Sequence, residues 1–441
     1  MGEGAPLPNE LKLGTRRTGD LIDFDPDTPE VKVVLDWSEH GISVEVPWSA
    51  PDDYYASWFL RDGLQGLPAV KKPIPKRLMF ADTHGALQLV QCWPRGFHSN
   101  LASGTGRMWA RFAVMDVRDD IDFQHIDGIR SEVSGLREWL RVSSVSEELD
   151  PPSKTITVVG KPADEIIVAP NLTFVPTWST ERPDGEDSIV LRDYVACQTM
   201  SATPADWDDL AETHHGIRDL LVLARWRPET CTVTMVTRDD DPIVTLDGKE
   251  HGRQWRNVVV ASREESPAPV SGYRPHLMEY DEIGGASGVA RWLELREEFS
   301  RALDPIITDR YLQKVPALTH LAQVGPGLEA LGYLLLKNRD GVGAEAAKNS
   351  QLRQRLDRIA ADVDAAVPFD AGTWAETMTR AYNGIKHANR SLPAELDLLN
   401  RWRESVVAVR AWVALELGAE AAAVKRRLEL DPSAGAFVAR D

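Results

Sequence analysis

The stretch Thr373–Arg390, TWAETMTRAYNGIKHANR, decides how the chain is read. Trp374, Met378, Ala381, Ile385 and Ala388 recur at steps of three and four, the spacing of an apolar helix face seeking a core. Arg380, Asn383, His387 and Arg390 recur at the same steps on a neighbouring face. Residues seven apart lie about two turns, or roughly 10 Å, along a helix, so this spacing points Arg380 and His387 the same way. A guanidinium, an amide and an imidazole on one stripe suit a phosphodiester. The pattern predicts one helix over 371–389, with the Asp370 carboxylate as its N-cap.

Working outward, helical periodicity predicts further helices over about 289–303, 315–338, 343–364 and 394–428. Pro316, Pro326, Pro368 and Pro393 fall near their starts or joints. Four or five such helices with short connections make a bundle. Before it, Ser266 to Gly288 is rich in Pro, Gly and Ser and reads as a linker; its glycines lack the order of a phosphate-cradling loop. Residues 1 to about 285 read as mostly β. Val31–Leu35 and Ile42–Pro47 look like paired strands across the Glu39-His40-Gly41 turn. Further strands are expected at 78–80, 86–91, 108–114, 155–159, 166–169, 189–200, 232–236 and 258–261. Two helical patches interrupt them, Val133–Arg141 and Ala205–Arg225. The expected fold class is α+β. A β-rich domain over 1–285, a sandwich or curled sheet with a few helices, precedes an all-α bundle over 286–441.

A chain of 441 residues has room for two or three domains, each with its own core. Cys92, Cys197 and Cys231 are far apart and at no zinc-ligand spacing, which suggests plain thiols in a reducing cytoplasm. The opening residues lack a signal-peptide pattern, and no apolar run approaches the roughly 20 residues needed to cross a bilayer. A cytoplasmic protein without a membrane partner is expected. The net charge of −18 is unevenly distributed. From Val289 onward, 21 basic residues balance 21 acidic ones, whereas 29 basic and 47 acidic residues precede it. The acidic part should repel nucleic acid except at a local basic pocket, and is better suited to protein or small-molecule partners.

Other features carry blander readings. His214-His215 has no third ligand at metal spacing and reads as helix surface. Asp116–Asp127 lacks the glycine and terminal glutamate of a calcium loop and reads as a solvated strand edge. Trp93, Trp109, Trp139, Trp178 and Trp226 read as core and sheet packing. No metal and no cofactor is expected.

The helical bundle with an Arg–x6–His pair, Arg380 to His387, resembles the HEPN superfamily of metal-independent ribonucleases. The upstream features HGALQLVQC, GLREWL and THHGIRDLLVLARWRP extend the resemblance to the Apea-like group of anti-phage defence proteins, in which a β-rich domain precedes a HEPN domain. The compact form of that motif places a polar residue, often Asn, directly after the Arg and four before the His. Here Asn383 keeps its place, Tyr382 stands where the Arg would be, and Arg380 lies two residues earlier.

The resemblance implies RNA cleavage in abortive infection. His387 would act as general base or acid, Arg380 would steady the phosphorane, and Asn383 would orient the phosphate or imidazole. Lys386, Arg390 and Tyr382 would bind the RNA. It also implies a homodimer through the helical domain and a phage-derived trigger at the N-terminal domain. The Tyr382 departure points instead to a catalytically inactive bundle that binds a nucleotide or a partner.

Overall fold

The computed structural model describes residue 9 and residues 11–50, 53–60, 73–100, 103–181, 187–245, 247–261 and 276–438. The opening residues 1–8 and the first ten residues of the expected linker, 266–275, lie outside the described residues.

The first half is β-rich. In chain order it runs β1 (Thr15–Ile22), β2 (Lys32–Ser38), β3 (Gly41–Trp48), a short helix α1 (Ala56–Phe59) and β4 (Leu78–Asp82). Then come β5 (Gly85–Asn100), β6 (Ser103–Met115), β7 (Ile126–Val133), α2 (Leu136–Leu140), β8 (Val145–Asp150) and β9 (Thr155–Gly160). Next are β10 (Ile166–Ala169), β11 (Leu172–Glu181), β12 (Val190–Ala205), α3 (Trp207–Arg225), β13 (Cys231–Val244) and β14 (Glu250–Val260). From Ala286 the described structure is helical: α4 (Ala286–Glu298), α5 (Ser300–Asp309), α6 (Ala317–Leu334), α7 (Ala344–Lys348) and α8 (Leu352–Val363). It ends with α9 (Ala371–Lys386), α10 (Glu395–Glu416) and α11 (Ala421–Leu430). A β-rich N-terminal region followed by a helical C-terminal region is the expected fold class.

The chain forms two compact units that are not contiguous in sequence. The first comprises 1–132, 196–214 and 231–265, and the second 133–195, 215–230 and 266–441. The boundary expected at 285/286 therefore falls inside the second unit.

The expected sandwich or curled sheet takes a specific form in the first unit: six antiparallel strands close on themselves in the order β6-β3-β2-β1-β4-β5, with β5 pairing back to β6. Closure is written in the alternation of β2 and β3, where Val33, Leu35, Val44 and Val46 are fully buried and point inward. Trp48, Trp58 and Phe59 pack in the same core, with Trp48 and Phe59 stacked at 5.7 Å. Strand β6 is long enough to serve twice, pairing with β14 through Val114↔Val258 as well as with the barrel. Strands β13, β7 and the second half of β12 continue the sheet outward from β14. Trp207 stacks on Phe112 at 4.3 Å in the core of this sheet, and its indole N–H donates to the Phe123 carbonyl.

Two blander readings need correction. His214 is not on the surface but fully buried, its ring nitrogens bonded to Thr199 Oγ1 at 2.9 Å and Ser131 Oγ at 2.8 Å. Asp116–Asp127 is a loop rather than a strand edge up to residue 125, and Asp127 is buried, accepting from the Asp239 backbone N–H at 2.8 Å. Trp139 and Trp226 are core residues as expected, but Trp93 is 41% exposed.

In the second unit β8 pairs with β9, and β10 with β11. Residues 215–230 belong with the helices because those helices hold their backbone. The Trp292 indole donates to the Gly216 carbonyl at 2.7 Å, Arg310 Nε to Trp226 at 2.8 Å and the buried Arg410 Nε to Leu223 at 2.9 Å. Asp431 pairs with Arg410 at 3.0 Å and neutralises it. The helix expected over 289–303 is two, broken at Phe299, and the long last helix is also two. There Gly418 takes φ +95°, the left-handed backbone that ends a helix cheaply only in glycine.

His276, also in this unit, has its pKa lowered to about 4 by burial and by the nearby Arg225 and Arg141 charges. The folded state keeps this imidazole neutral to about pH 4, whereas the unfolded chain protonates it near 6.5. Protons thus favour unfolding in that window. The melting temperature is expected to fall as pH drops from 6.5 to 4, and His276→Gln to flatten that slope in a thermal-melt series.

Candidate active site

Helix α9 starts where the sequence indicates. The Asp370 carboxylate accepts from the Thr373 N–H at 2.6 Å, which holds its pKa below the usual carboxylate range. Trp374, Ala375, Met378 and Ala381 are buried, and the Trp374 indole donates to Ser405 Oγ of α10 at 3.2 Å. Tyr382 joins this face, 5% exposed, with burial and Glu329 pushing its phenol up to about 12. A Cβ on Gly325 of α6 would sit 2.1 Å from the Tyr382 ring, so glycine is required for the helices to approach so closely. Tyr382 is therefore a core residue, and its assignment to an RNA-binding surface is corrected by that burial.

The helix ends earlier than the stripe implies. Lys386 is the last helical residue and His387 is the C-cap, in extended conformation (φ −123°, ψ 108°), its N–H donating to the Asn383 carbonyl at 3.1 Å. Arg390 lies past the helix in a turn closed by its own N–H on the His387 carbonyl at 2.9 Å. Ala388, expected on the apolar face, is exposed. The cause is the returning chain: a Cβ on Gly384 would stand 2.8 Å from the Ser391 carbonyl oxygen and 3.2 Å from Pro393 Cδ. Ser391–Pro393 crosses the last turn there, and a further turn of helix has no room. Gly384 and Pro393 were the signals in the sequence that marked this stop.

Only Arg380 and Asn383 therefore share the helix; His387 and Arg390 follow it on the exposed post-helical segment. Arg380 is exposed and pairs with Glu376 at 3.1 Å, an i,i+4 pair legible from the sequence. An ion pair so open to solvent is worth about 0–1 kcal/mol and does not lock the guanidinium away from an anion. Lys386 bonds Glu329 of α6 at 2.6 Å and lies 5.1 Å over the Tyr382 ring, so this cation braces two helices. Asn383 is half-buried, and His387 and Arg390 are exposed. Among the described residues none of the Asn383, His387 and Arg390 side chains is drawn into an ion pair or hydrogen bond. The arrangement offers an imidazole, an amide and two guanidiniums at one helix end. Among the described residues no group of three His, Cys, Asp or Glu side chains gathers that could hold a metal ion, and no helix is long and apolar enough to cross a membrane.

Residues 22–244, half of the chain, match the model of the family described as ApeA N-terminal domain 1, and the chain belongs to that family. The match supports an anti-phage defence protein. It covers β2 to β13; β1 up to residue 21, β14 and α4 to α11 lie outside it. No curated protein matches the chain, and no solved structure does.

Substitutions at the grip on α9 test this geometry. Gly325→Ala drives a methyl into Tyr382 and is expected to cost about 1–3 kcal/mol, and Tyr382→Ala about 3–5 kcal/mol, in denaturant unfolding. Tyr382→Phe, which keeps the ring, is expected to stay close to wild type.

Proposed function

We propose that this member of the ApeA family is a metal-independent endoribonuclease of the HEPN type, acting in abortive infection through the end of α9. The supporting observation is the exposed, unengaged His387 imidazole at the C-cap, one turn beyond Asn383 on the helix that carries Arg380. In this reading the ribose 2′-oxygen attacks the adjacent phosphorus and the bond to the 5′-oxygen breaks. A cyclic 2′,3′-phosphate and a 5′-hydroxyl result. His387 removes the 2′-proton or supplies one to the leaving oxygen. Arg380 matches the phosphorane oxygens with its planar fork. Asn383 orients the phosphate, and Arg390 steers the RNA backbone. One helix carries one imidazole, whereas base and acid steps call for two; a homodimer joining two α9 ends would provide the second.

A second reading, a catalytically inactive bundle that binds a nucleotide or partner, is favoured by one observation. Tyr382, at the position where the compact motif carries its arginine, is buried in the core. Purified protein incubated with total cellular RNA and EDTA separates the two. The nuclease reading expects cleavage that survives the chelator and falls by about 100-fold or more in His387→Ala and Arg380→Ala, the usual scale for removing acid–base or charge-stabilising groups. Cleavage that needs added metal, or that persists in His387→Ala, would reject it.

A further inference from the structure

The exposed wall of the barrel carries a second cluster, remote in function from α9. Strand β5 outruns its neighbour: β4 pairs with it only as far as Leu78↔Leu89, while β5 and β6 continue together to Asn100↔Ser103. On this ribbon the register shifts between Pro94 and Gly96, a bulge that re-aims Arg95. Its guanidinium lies 3.9 Å over the Trp109 ring, an arrangement that leaves the in-plane N–H donors open. Arg107 and Arg16 grip Glu45 at 3.0 and 3.2 Å. Two guanidiniums thus hold one carboxylate, and Arg95 and His98 line the same cavity as Glu45 and Arg107. Among the described residues no carboxylate pairs with Arg95.

This is a local charge reversal in a chain of net charge −18. The cavity it lines measures about 260 Å³. Sites for drug-sized ligands run from about 300 to 1,000 Å³, so this one suits one or two anchoring side chains better than a whole small molecule. Phe97 lines it at 45% exposure, its ring 6.3 Å from that of Trp48, and Trp93, 41% exposed, pairs across the strands with Trp109. Exposed Trp, Phe and Arg side by side are the composition of interface hot spots rather than of a solvated sheet face. Trp109 adds a buried indole N–H with no acceptor among the described residues, an unmet donor in the cavity wall.

We propose that the outer barrel wall at the β5–β6 bulge docks an acidic, aromatic-bearing segment of a partner protein. The carboxylates of that segment meet Arg95 and Arg107, and its aromatic side chain packs beside Phe97 and Trp109. The proposal deepens the sensing half of the defence reading by giving the trigger a place and a chemistry. Its test does not depend on RNA cleavage, so the two can fail separately.

The probe is a fluorescein-labelled random copolymer of glutamate and tyrosine, titrated with full-length protein by fluorescence anisotropy. Polyglutamate, polylysine and a mononucleotide serve as comparators. The expected result is salt-sensitive binding of the copolymer, stronger than of any comparator. It weakens about tenfold or more, or 1.4 kcal/mol, in the Arg95→Ala/Arg107→Ala and Trp93→Ala/Phe97→Ala double variants. The exposed Arg118→Ala should bind as wild type, and thermal melts verify that each variant is folded. The proposal is overturned by wild-type protein that ignores the copolymer, by folded variants that bind it undiminished, or by a mononucleotide that binds more tightly.

Discussion

The last two turns of α9 are held from two sides, by the Tyr382 ring against Gly325 and by the Ser391 carbonyl against Gly384. Neither contact tolerates a Cβ, and together they determine where the helix stops and which face it hides. Because the returning chain crosses at Gly384, His387 must leave the helical path and emerge at the surface. Because Tyr382 is drawn into the bundle, the neighbouring Arg380 is turned outward. The interior then builds on the same helix, with Trp374 reaching Ser405 of α10 and Lys386 tied to Glu329 of α6. The chemistry proposed for the helix end is thus a by-product of close helix packing.

Much of this was legible from the sequence. Strict alternation in Val33, Leu35, Val44 and Val46 marked a sheet with one buried face, and Asp370 marked the start of α9. What escaped was whatever depends on contacts distant in sequence. Barrel closure needs β5 to meet β6 and β4 to meet β1, pairings that no local pattern encodes. The spatial partner of Gly384 is a segment that arrives after the helix, so a period of 3.6 carried the expected helix three residues too far. Four of the strands, β1, β7, β8 and β11, were missed; β1 and β8 carry Thr, Gly, Ser and charged residues that dilute the strand signal. His214 shows the opposite error. A polar pair on a helix suggests solvent, yet two buried hydroxyls on other strands satisfy the ring.

The charge distribution suits the two parts of the chain to the different tasks proposed for them. The helical part, with its balanced acids and bases, presents the exposed cations Arg380 and Arg390 on and just after α9, where a phosphate could approach. The acidic part carries a cationic cluster where a bulge stacks Arg95 on Trp109 beside the Glu45 clasp. The proposed nuclease would have to be silent in a healthy cell, and a recognising site distinct from the cutting site would make that physically economical. An acidic surface would also keep RNA away from the proposed recognition region, so that anionic ligands there would be short and local.

The central claim is that the end of α9 cleaves RNA by attack of the neighbouring 2′-oxygen. The most direct measurement maps the wild-type cleavage position on a defined RNA and repeats the reaction with a single 2′-deoxynucleotide 5′ to the scissile bond. The account predicts that cleavage at that position is abolished while other positions continue to be cut. Continued cutting there, with a 5′-phosphate on the product, would contradict it.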